Sequence, residues 1–196
     1  MEIKKIVNFI FELSILKKQK RSGWMLAGVN NSTSIAEHQL RAAQIGYILA
    51  TMEGNKNPEK VATILLIHDN GEARIGDQNK VAARYVDKKE PELKVFAEQL
   101  EGLGEVVEQR WAQYFAEFEN RSTPEGIIAK DADWLETAFQ AKEYLDLGHA
   151  SAQDWIDNVE KALETNSAKQ IMAEMKKTKF TDWWSDLKKM TYTKLK

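Results

Sequence analysis

The stretch VATILLIHDNGEARIGD, residues 61–77, joins a mostly apolar run to a histidine and an aspartate. Val61, Leu65 and His68 follow one another at intervals of four and three residues, which is the spacing of one helical face. An imidazole and a carboxylate at the end of a buried helix cost free energy unless both are satisfied. A divalent cation satisfies both, because imidazole nitrogen and carboxylate oxygen are ordinary ligands. A hydrogen-bonded His68–Asp69 pair without metal is the alternative for this dipeptide taken alone.

Two other segments offer side chains of the same kind. The chain has three histidines, and His38 lies within a predicted helix over residues 34–53. It shares a helical face with apolar positions, so a buried histidine without a metal is the alternative there. Asp131 and Asp133 lie within another predicted helix, over residues 125–147. Together with His68 and Asp69 these residues favour a metal site.

Composition limits the class of protein. At 196 residues, 43% of them hydrophobic and 30% charged, the sequence is typical of one soluble globular domain. No apolar run approaches the length of a membrane span, and the net charge of −2 offers no basic field for a nucleic acid, so we expect neither a membrane nor a nucleic-acid partner. The absence of cysteine excludes thiolate metal sites and agrees with a cytoplasmic location.

Helical periodicity continues through most of the chain, and glycine and proline are few. A break is expected in the longest segment near residues 102–104. We predict one domain over residues 1–178. A basic tail over residues 179–196 is predicted to pack its aromatic residues, Trp183 and Trp184, on that domain. The predicted helices span residues 3–17, 34–53, 59–69, 91–119, 125–147, 151–165 and 166–178.

Several segments carry a recognisable series of motifs. These are KRSGW at 20–24, SIAEH at 34–38, HDNGEARIGD at 68–77 and IIAKDADWLETAFQAKEY at 127–144. On them, over roughly residues 10–147, the chain resembles the HD-domain metal-dependent phosphohydrolases, and most of all their small 5′-deoxynucleotidase branch. The resemblance implies an all-α, single-domain bundle of eight to ten helices around a central metal site.

The resemblance also implies a set of metal ligands. His38, His68, Asp69 and one aspartate of the KDAD segment are expected to bind one divalent ion, of which Mn, Co, Zn, Mg and Fe are candidates. Asp131 and Asp133 lie about 200° apart on a helix, so only one of them can face the site. Helical spacing alone favours Asp131, whereas the family motif favours Asp133, which we choose; Asp131 is then expected to be solvated or to support the site from behind.

Four further residues match family positions. The resemblance implies that Glu72 acts as general acid or base and that Asp77 anchors a sugar hydroxyl close to the reacting centre. It implies that Arg21 binds phosphate and that Trp24 lies against the sugar. The family usually has Glu where Thr33 stands and often has Pro after the GD pair, where this chain has QNK, so the downstream half of the pocket is expected to differ.

The expected reaction is hydrolysis of deoxyribonucleoside 5′-monophosphates to deoxynucleoside and phosphate, with little preference among bases. A divalent ion would acidify water for attack on phosphorus. Two-metal relatives need more histidines, and only His149 is left, so one metal is favoured. The alternatives are a phosphohydrolase for another small phosphate ester or a nucleotide phosphodiester, and a non-catalytic scaffold that binds a nucleotide or a protein. The family habit of even-numbered oligomers implies a homodimer.

Overall fold

The computed structural model describes residues 2–185, 187 and 194. Within these residues there are ten α-helices and no named strand, which confirms the all-α prediction. The only bridge of β type joins Lys20 to Ser34 in the part described. The helices are α1 Ile3–Glu12, α2 Ile35–Met52, α3 Pro58–Ile67, α4 Glu72–Ile75, α5 Lys89–Leu100, α6 Glu105–Asn120, α7 Pro124–Asp146, α8 Gln153–Ala162, α9 Asn166–Met175 and α10 Asp182–Ser185.

Helices α2, α3 and α7 pack against one another at the centre of the molecule. The start of α2 is determined locally by a capping box: the Ser34 hydroxyl accepts from the Glu37 N–H, and the Glu37 carboxylate accepts from the Ser34 N–H. Gly46 lets α3 approach, since a Cβ there would lie 2.2 Å from Leu65 Cδ1. The close crossing of α2 and α3 packs the apolar residues of both helices into one core. It also brings the histidine of α2 close to the histidine at the end of α3.

Helix α3 has the first turn that its sequence predicts, with Pro58 at its start. Val61, Ile64 and Leu65 are fully buried. Each such side chain contributes roughly 1.5–3 kcal/mol through burial, enough to anchor the helix end that carries His68.

Helix α7 begins at a cap in which the Thr123 hydroxyl accepts from the Gly126 N–H. A Cβ on Gly126 would lie 2.2 Å from the carbonyl oxygen of Glu117, so glycine is required for α6 to lie against α7. This contact brings α6 against the start of α7, the helix that carries Asp131 and Asp133.

One predicted break between helices is observed, and one predicted helix is shorter than expected. The predicted break in the segment 91–119 is confirmed: Gly102 and Gly104 have φ of 83° and 108°, where glycine is the residue without strain. The predicted helix over 3–17 instead ends at Glu12 and tightens into a 3₁₀ turn over Leu13–Ile15.

The C-terminal tail lies only partly within the described residues, so the division of the chain at 178/179 stays a prediction. Trp183 and Trp184, which we expected to pack on the domain, are 75% and 52% exposed. Helix α10 is a single turn, too short to bury both indoles on one face. Among the described residues, no helix combines the length and the apolar character needed to cross a bilayer.

Candidate metal centre

Four of the predicted side chains meet at the centre of the bundle. His38 Nε2 lies 3.1 Å from Asp133 Oδ1 and 3.7 Å from Asp69 Oδ2. His68 Nε2 lies 3.2 Å from Asp69 Oδ2 and 3.7 Å from Asp133 Oδ1. Helix α2 supplies the first histidine, the end of α3 supplies His68 and Asp69, and α7 supplies Asp133. The ligand atoms of His38, His68 and Asp69 all lie within 4.8 Å of one another.

The hydrogen bonds behind the two imidazoles orient them toward this cluster. His38 Nδ1 is bonded to the Glu136 carboxylate, and His68 Nδ1 lies 2.8 Å from the carbonyl oxygen of Leu65. A carbonyl can only accept, so His68 carries a proton on Nδ1. Both Nε2 atoms are buried and have no hydrogen-bond partner among the residues described. Two imidazoles held from behind, with unpartnered Nε2 atoms beside two carboxylates, fit a metal ion.

The negative charges of Asp69 and Asp133 at the cluster also favour binding of a cation. Burial by itself lowers the pKa of His68, but the carboxylates of Asp69 and Asp133 outweigh it and raise the pKa to about 9. Burial raises the pKa of Asp133, but the imidazoles of His38 and His68 beside it hold that pKa well below the usual range. A proton on an imidazole or a divalent ion can supply the positive charge that the carboxylates require.

Asp131 and Asp133 point in different directions, as their spacing on α7 requires. Asp131 is 1% exposed, and its carboxylate accepts from the N–H of Glu164 at 3.0 Å and from the N–H and hydroxyl of Thr165, both at 2.7 Å. It therefore holds the segment that begins α9. The expectation of a solvated Asp131, or of one supporting the metal cluster, was wrong, because its carboxylate is used in full at the other face of the helix.

Glu72 lies beside the cluster on α4, in a buried position. Its Oε1 accepts from Lys88 Nζ at 2.5 Å, while its Oε2 is buried and has no partner within the described chain. Burial raises the pKa of Glu72, the charge of Asp69 adds to the rise and Lys88 opposes it, so the pKa reaches about 9. The carboxylates of Asp69, Glu72 and Glu92 lie within 4.8 Å of one another, with Lys88 as their cation.

Arg21 and Asp77 lie on another side of the same centre. Arg21 Nη1 is 3.9 Å from Asp69 Oδ2, and its Nε is 3.6 Å from Asp77 Oδ1. Asp77 is held to the Arg21 segment by the N–H and hydroxyl of Ser22. Arg21 Nη1 is buried without a hydrogen-bond partner among the described residues, so it can still bind an anion.

Two cavities open from the cluster, and Asp133 and Gln78 line both of them. One, of about 660 Å³, contains Glu72 and Lys88. The other, of about 430 Å³, contains Arg21, Asp77 and Trp24. Trp24 is only 3% exposed, so it reaches the second cavity with little of its surface. His149 is elsewhere, packed against the edge of Tyr144.

Sequence reasoning did not identify four of the residues around the centre. Glu136 binds His38 from behind and is itself held by Arg41, which donates from Nε at 2.9 Å and from Nη2 at 2.7 Å. A signal existed: Arg41 and Glu136 each follow a predicted ligand by three residues, on the same helical face. Lys88 lies in a polar segment without periodicity, and Trp155 lies beyond the recognisable motifs, so neither had such a signal.

Comparison with known proteins gives consistent matches over most of the chain. A profile described as HD domain matches residues 13–176. A Schizosaccharomyces pombe protein named 5′-deoxynucleotidase hdd1 is 32% identical over 144 residues, which are 71% of this chain and 72% of that protein. The human 5′-deoxynucleotidase HDDC2 is 24% identical over 182 residues, covering 90% of this chain and 87% of the human protein.

A solved structure supports the same relationship. A conserved hypothetical protein from Pyrococcus furiosus superposes with a TM-score of 0.73 at 30% identity. The superposition covers 88% of this chain and 99% of the archaeal protein. The similarity therefore extends over most of the helical bundle, and the profile match from residue 13 to 176 includes every element that contributes to the cluster.

Proposed function

The chain belongs to the HD domain family, and from that premise we propose that it hydrolyses deoxyribonucleoside 5′-monophosphates to deoxynucleoside and phosphate. Relatives with that named activity support the substrate class. The observation that carries the proposal is the cluster itself. Two buried Nε2 atoms, which have no hydrogen-bond partner in the part of the chain described, stand beside two carboxylates, and Arg21, whose Nη1 likewise has none there, lies next to them.

We propose that His38, His68, Asp69 and Asp133 hold one divalent cation. Two nitrogen and two oxygen donors suit Mn, Co, Zn, Mg or Fe, and leave positions for water and phosphate on a five- or six-coordinate ion. When bound, the cation would supply Lewis-acid chemistry by acidifying water and offsetting charge on the phosphoryl group. Glu136 and the Leu65 carbonyl keep both Nε2 atoms turned toward that position.

Glu72 is the proposed group for proton transfer. Lys88 occupies Oε1 and leaves Oε2 without a partner in the part of the chain described, so Oε2 is the atom that can take a proton from attacking water or give one to the leaving 5′-oxygen. Glu72 lies next to Asp69 and is not one of the four proposed ligands, so a proton can move between its free oxygen and a group bound at the metal site.

The 430 Å³ cavity is the proposed nucleotide site, since its volume falls within the usual range for small-molecule pockets. Arg21 binds the phosphate, because its forked donors match phosphoryl oxygens and it already lies beside Asp69. Asp77 accepts from the 3′-hydroxyl, which disfavours 3′-phosphates. Trp24 closes the cavity beside the sugar, and an apolar wall there leaves a 2′-hydroxyl without a partner. That costs roughly 1–3 kcal/mol, or about tenfold to hundredfold against ribonucleotides.

A panel of phosphate esters tests the proposal. Protein loaded separately with Mn²⁺, Co²⁺, Zn²⁺ or Mg²⁺ is assayed for phosphate release from dAMP, AMP and deoxyadenosine 3′-monophosphate, and for cleavage of bis(p-nitrophenyl) phosphate. The expected order is dAMP well above the others. Equal rates on AMP and dAMP would reassign the chain to a broader phosphomonoesterase class, and cleavage of the diester alone would make it a phosphodiesterase. Bound metal without any turnover would indicate a binding scaffold.

We also propose that the protein is a cytoplasmic homodimer. Leu40, Ile48 and Met52 recur on one side of α2 and are largely exposed, which gives an apolar surface of the kind that a second copy covers. Sedimentation of the purified protein tests the dimer, and fractionation of cells tests the location. A monomer at all concentrations would overturn the first.

A further inference from the structure

The nucleotide cavity continues past Trp24 to one face of α8. Trp155, Asn158, Val159 and Ala162 line it from that helix. They stand at positions i, i+3, i+4 and i+7, so they form one stripe along α8. This stripe lines the same cavity as Arg21 and Asp133, and it lies outside the motifs that carry the family resemblance.

Trp24 is enclosed by two other aromatic side chains. Tyr144 meets it edge-on with ring centroids 5.1 Å apart, and Trp155 lies over it at 5.4 Å with an interplanar angle of 31°. Only 3% of Trp24 is exposed as a result, whereas Trp155 is half-buried. Trp155 therefore retains more ring surface for the cavity than Trp24. Trp134, the other half-buried tryptophan in the lining, has the Arg121 guanidinium over its ring, with Cζ 4.6 Å from the ring centroid.

Trp155 lies beside the loop that carries Arg21. A Cβ at Gly23 would stand 3.9 Å from Trp155 Nε1, an ordinary van der Waals distance, so the indole lies close to this part of the loop. Arg21, Trp24 and Trp155 thus follow one another outward from the cluster. This order corresponds to the phosphate, sugar and base of one nucleotide.

We propose that Trp155 is the stacking surface for the nucleobase, a specificity-determining contact that rests on the nucleotidase function proposed above. Bases stack on aromatic rings whatever their hydrogen-bonding edge, because each has a π face. Stacking increases with the area in contact, so purine deoxynucleotides are favoured over pyrimidine ones. This modifies the expectation of little base preference, which rested on the absence of a recognisable base-reading motif in the sequence.

The test compares a substrate with a base and one without. Metal-loaded Trp155→Ala should lose about tenfold or more in kcat/KM for dAMP, chiefly through KM. Its kcat/KM for 2-deoxyribose 5-phosphate, which has no base to stack, should stay within about twofold of wild type. Trp155→Phe should retain most of the activity on dAMP. Trp183→Ala, which removes an exposed indole from another element, is the control and should leave both substrates unchanged.

Direct binding separates this inference from the proposed function. Calorimetric titration of dAMP into metal-loaded wild type and Trp155→Ala measures stacking without turnover, and dAMP should bind the variant about tenfold more weakly. If wild type binds dAMP but hydrolyses no deoxynucleotide, the proposed function fails while this comparison still decides the role of Trp155. If Trp155→Ala lost kcat/KM equally for dAMP and for 2-deoxyribose 5-phosphate, Trp155 would be a structural residue. If Trp155→Ala bound dAMP as tightly as wild type, the inference would be overturned.

Discussion

Lys88 donates a hydrogen bond to Glu72, with Nζ 2.5 Å from Oε1 and both side chains largely buried. The bond restrains one carboxylate oxygen and leaves the other without a partner within the described chain. It also places a positive charge where Asp69 and Glu92 otherwise bring only negative charge close to Glu72. A side chain that handles protons is thereby held in one orientation by a neighbour that does not itself contact the cluster.

The first prediction concerns this pair. Glu72→Ala should keep its metal and lose roughly 10²-fold or more in kcat. Lys88→Met should also lower kcat while changing KM for dAMP little, because the carboxylate loses its restraint but the nucleotide cavity is untouched. Steady-state kinetics measure kcat and KM of both variants, and metal analysis measures their metal content. Lys94→Met, which changes an exposed lysine of α5, is the control and should leave kcat unchanged. A near-normal kcat in Glu72→Ala would show that Glu72 does not take part in the mechanism.

The second prediction uses the two aspartates of α7 as a matched pair. Asp133→Ala should lower bound metal sharply, because it removes a proposed ligand. Asp131→Ala should keep the metal but lower the melting temperature, because three donors at the start of α9 lose their acceptor. The loss should lower the free energy of unfolding by about 1–2 kcal/mol or more. Chelation should lower the melting temperature of wild type, since a ligand bound only by the native state stabilises it. Full metal content in Asp133→Ala would contradict the ligand set.

The third prediction concerns the side chain behind His38. Glu136→Gln keeps the shape of the residue but removes the charge that binds both His38 Nδ1 and Arg41. Metal affinity should fall about 10–100-fold, as it does when other residues that hydrogen-bond to a metal-binding histidine are replaced. Glu143→Gln is the control, because Glu143 contacts Arg41 but not His38. The dissociation constant of the metal is measured for each variant by competition with a chelator. Equal metal affinities in Glu136→Gln and Glu143→Gln would contradict a role for Glu136 in orienting His38.

The fourth prediction concerns pH. In the metal-free protein the pKa of His68 is raised from 6.5 to about 9, so a proton occupies the site at neutral pH. A cation must displace that proton, and metal affinity should therefore rise by about tenfold per pH unit for each proton released, levelling off near pH 9. Because the folded pKa lies above the unfolded one, the proton stabilises the metal-free protein fully below pH 6.5, and this contribution is lost as pH rises to 9. A dissociation constant for Mn²⁺ that does not vary with pH would contradict this.

The fifth prediction concerns the sugar. Trp24→Phe should narrow the ratio of kcat/KM between dAMP and AMP, because a smaller ring beside the sugar leaves room for a 2′-hydroxyl. Arg21→Ala should depress activity on both nucleotides alike, since both carry the same phosphate. Parallel kinetics of the two variants give the measurement. An unchanged ratio in a folded Trp24→Phe protein would mean that another wall of the cavity excludes the ribose hydroxyl.

The local sequence was sufficient for the helices and for the identity of the histidines. A capping box at Ser34 and Glu37, a proline at position 58 and glycines near position 103 act on their immediate neighbours, so their effects can be read along the chain. The helical pattern placed His38 and His68 on apolar faces, and the family resemblance identified both as expected metal ligands.

What the tertiary structure alone decided is how the helices are rotated and which distant side chains meet. Helical spacing favoured Asp131 and the family motif favoured Asp133, and only the packed bundle shows Asp133 against the histidines and Asp131 bound to the start of α9. Glu72 finds Lys88 sixteen residues away, and Trp24 is covered by Trp155 from α8. Such contacts depend on the angles at which helices cross, and these follow from the packing of the whole core rather than from any one segment.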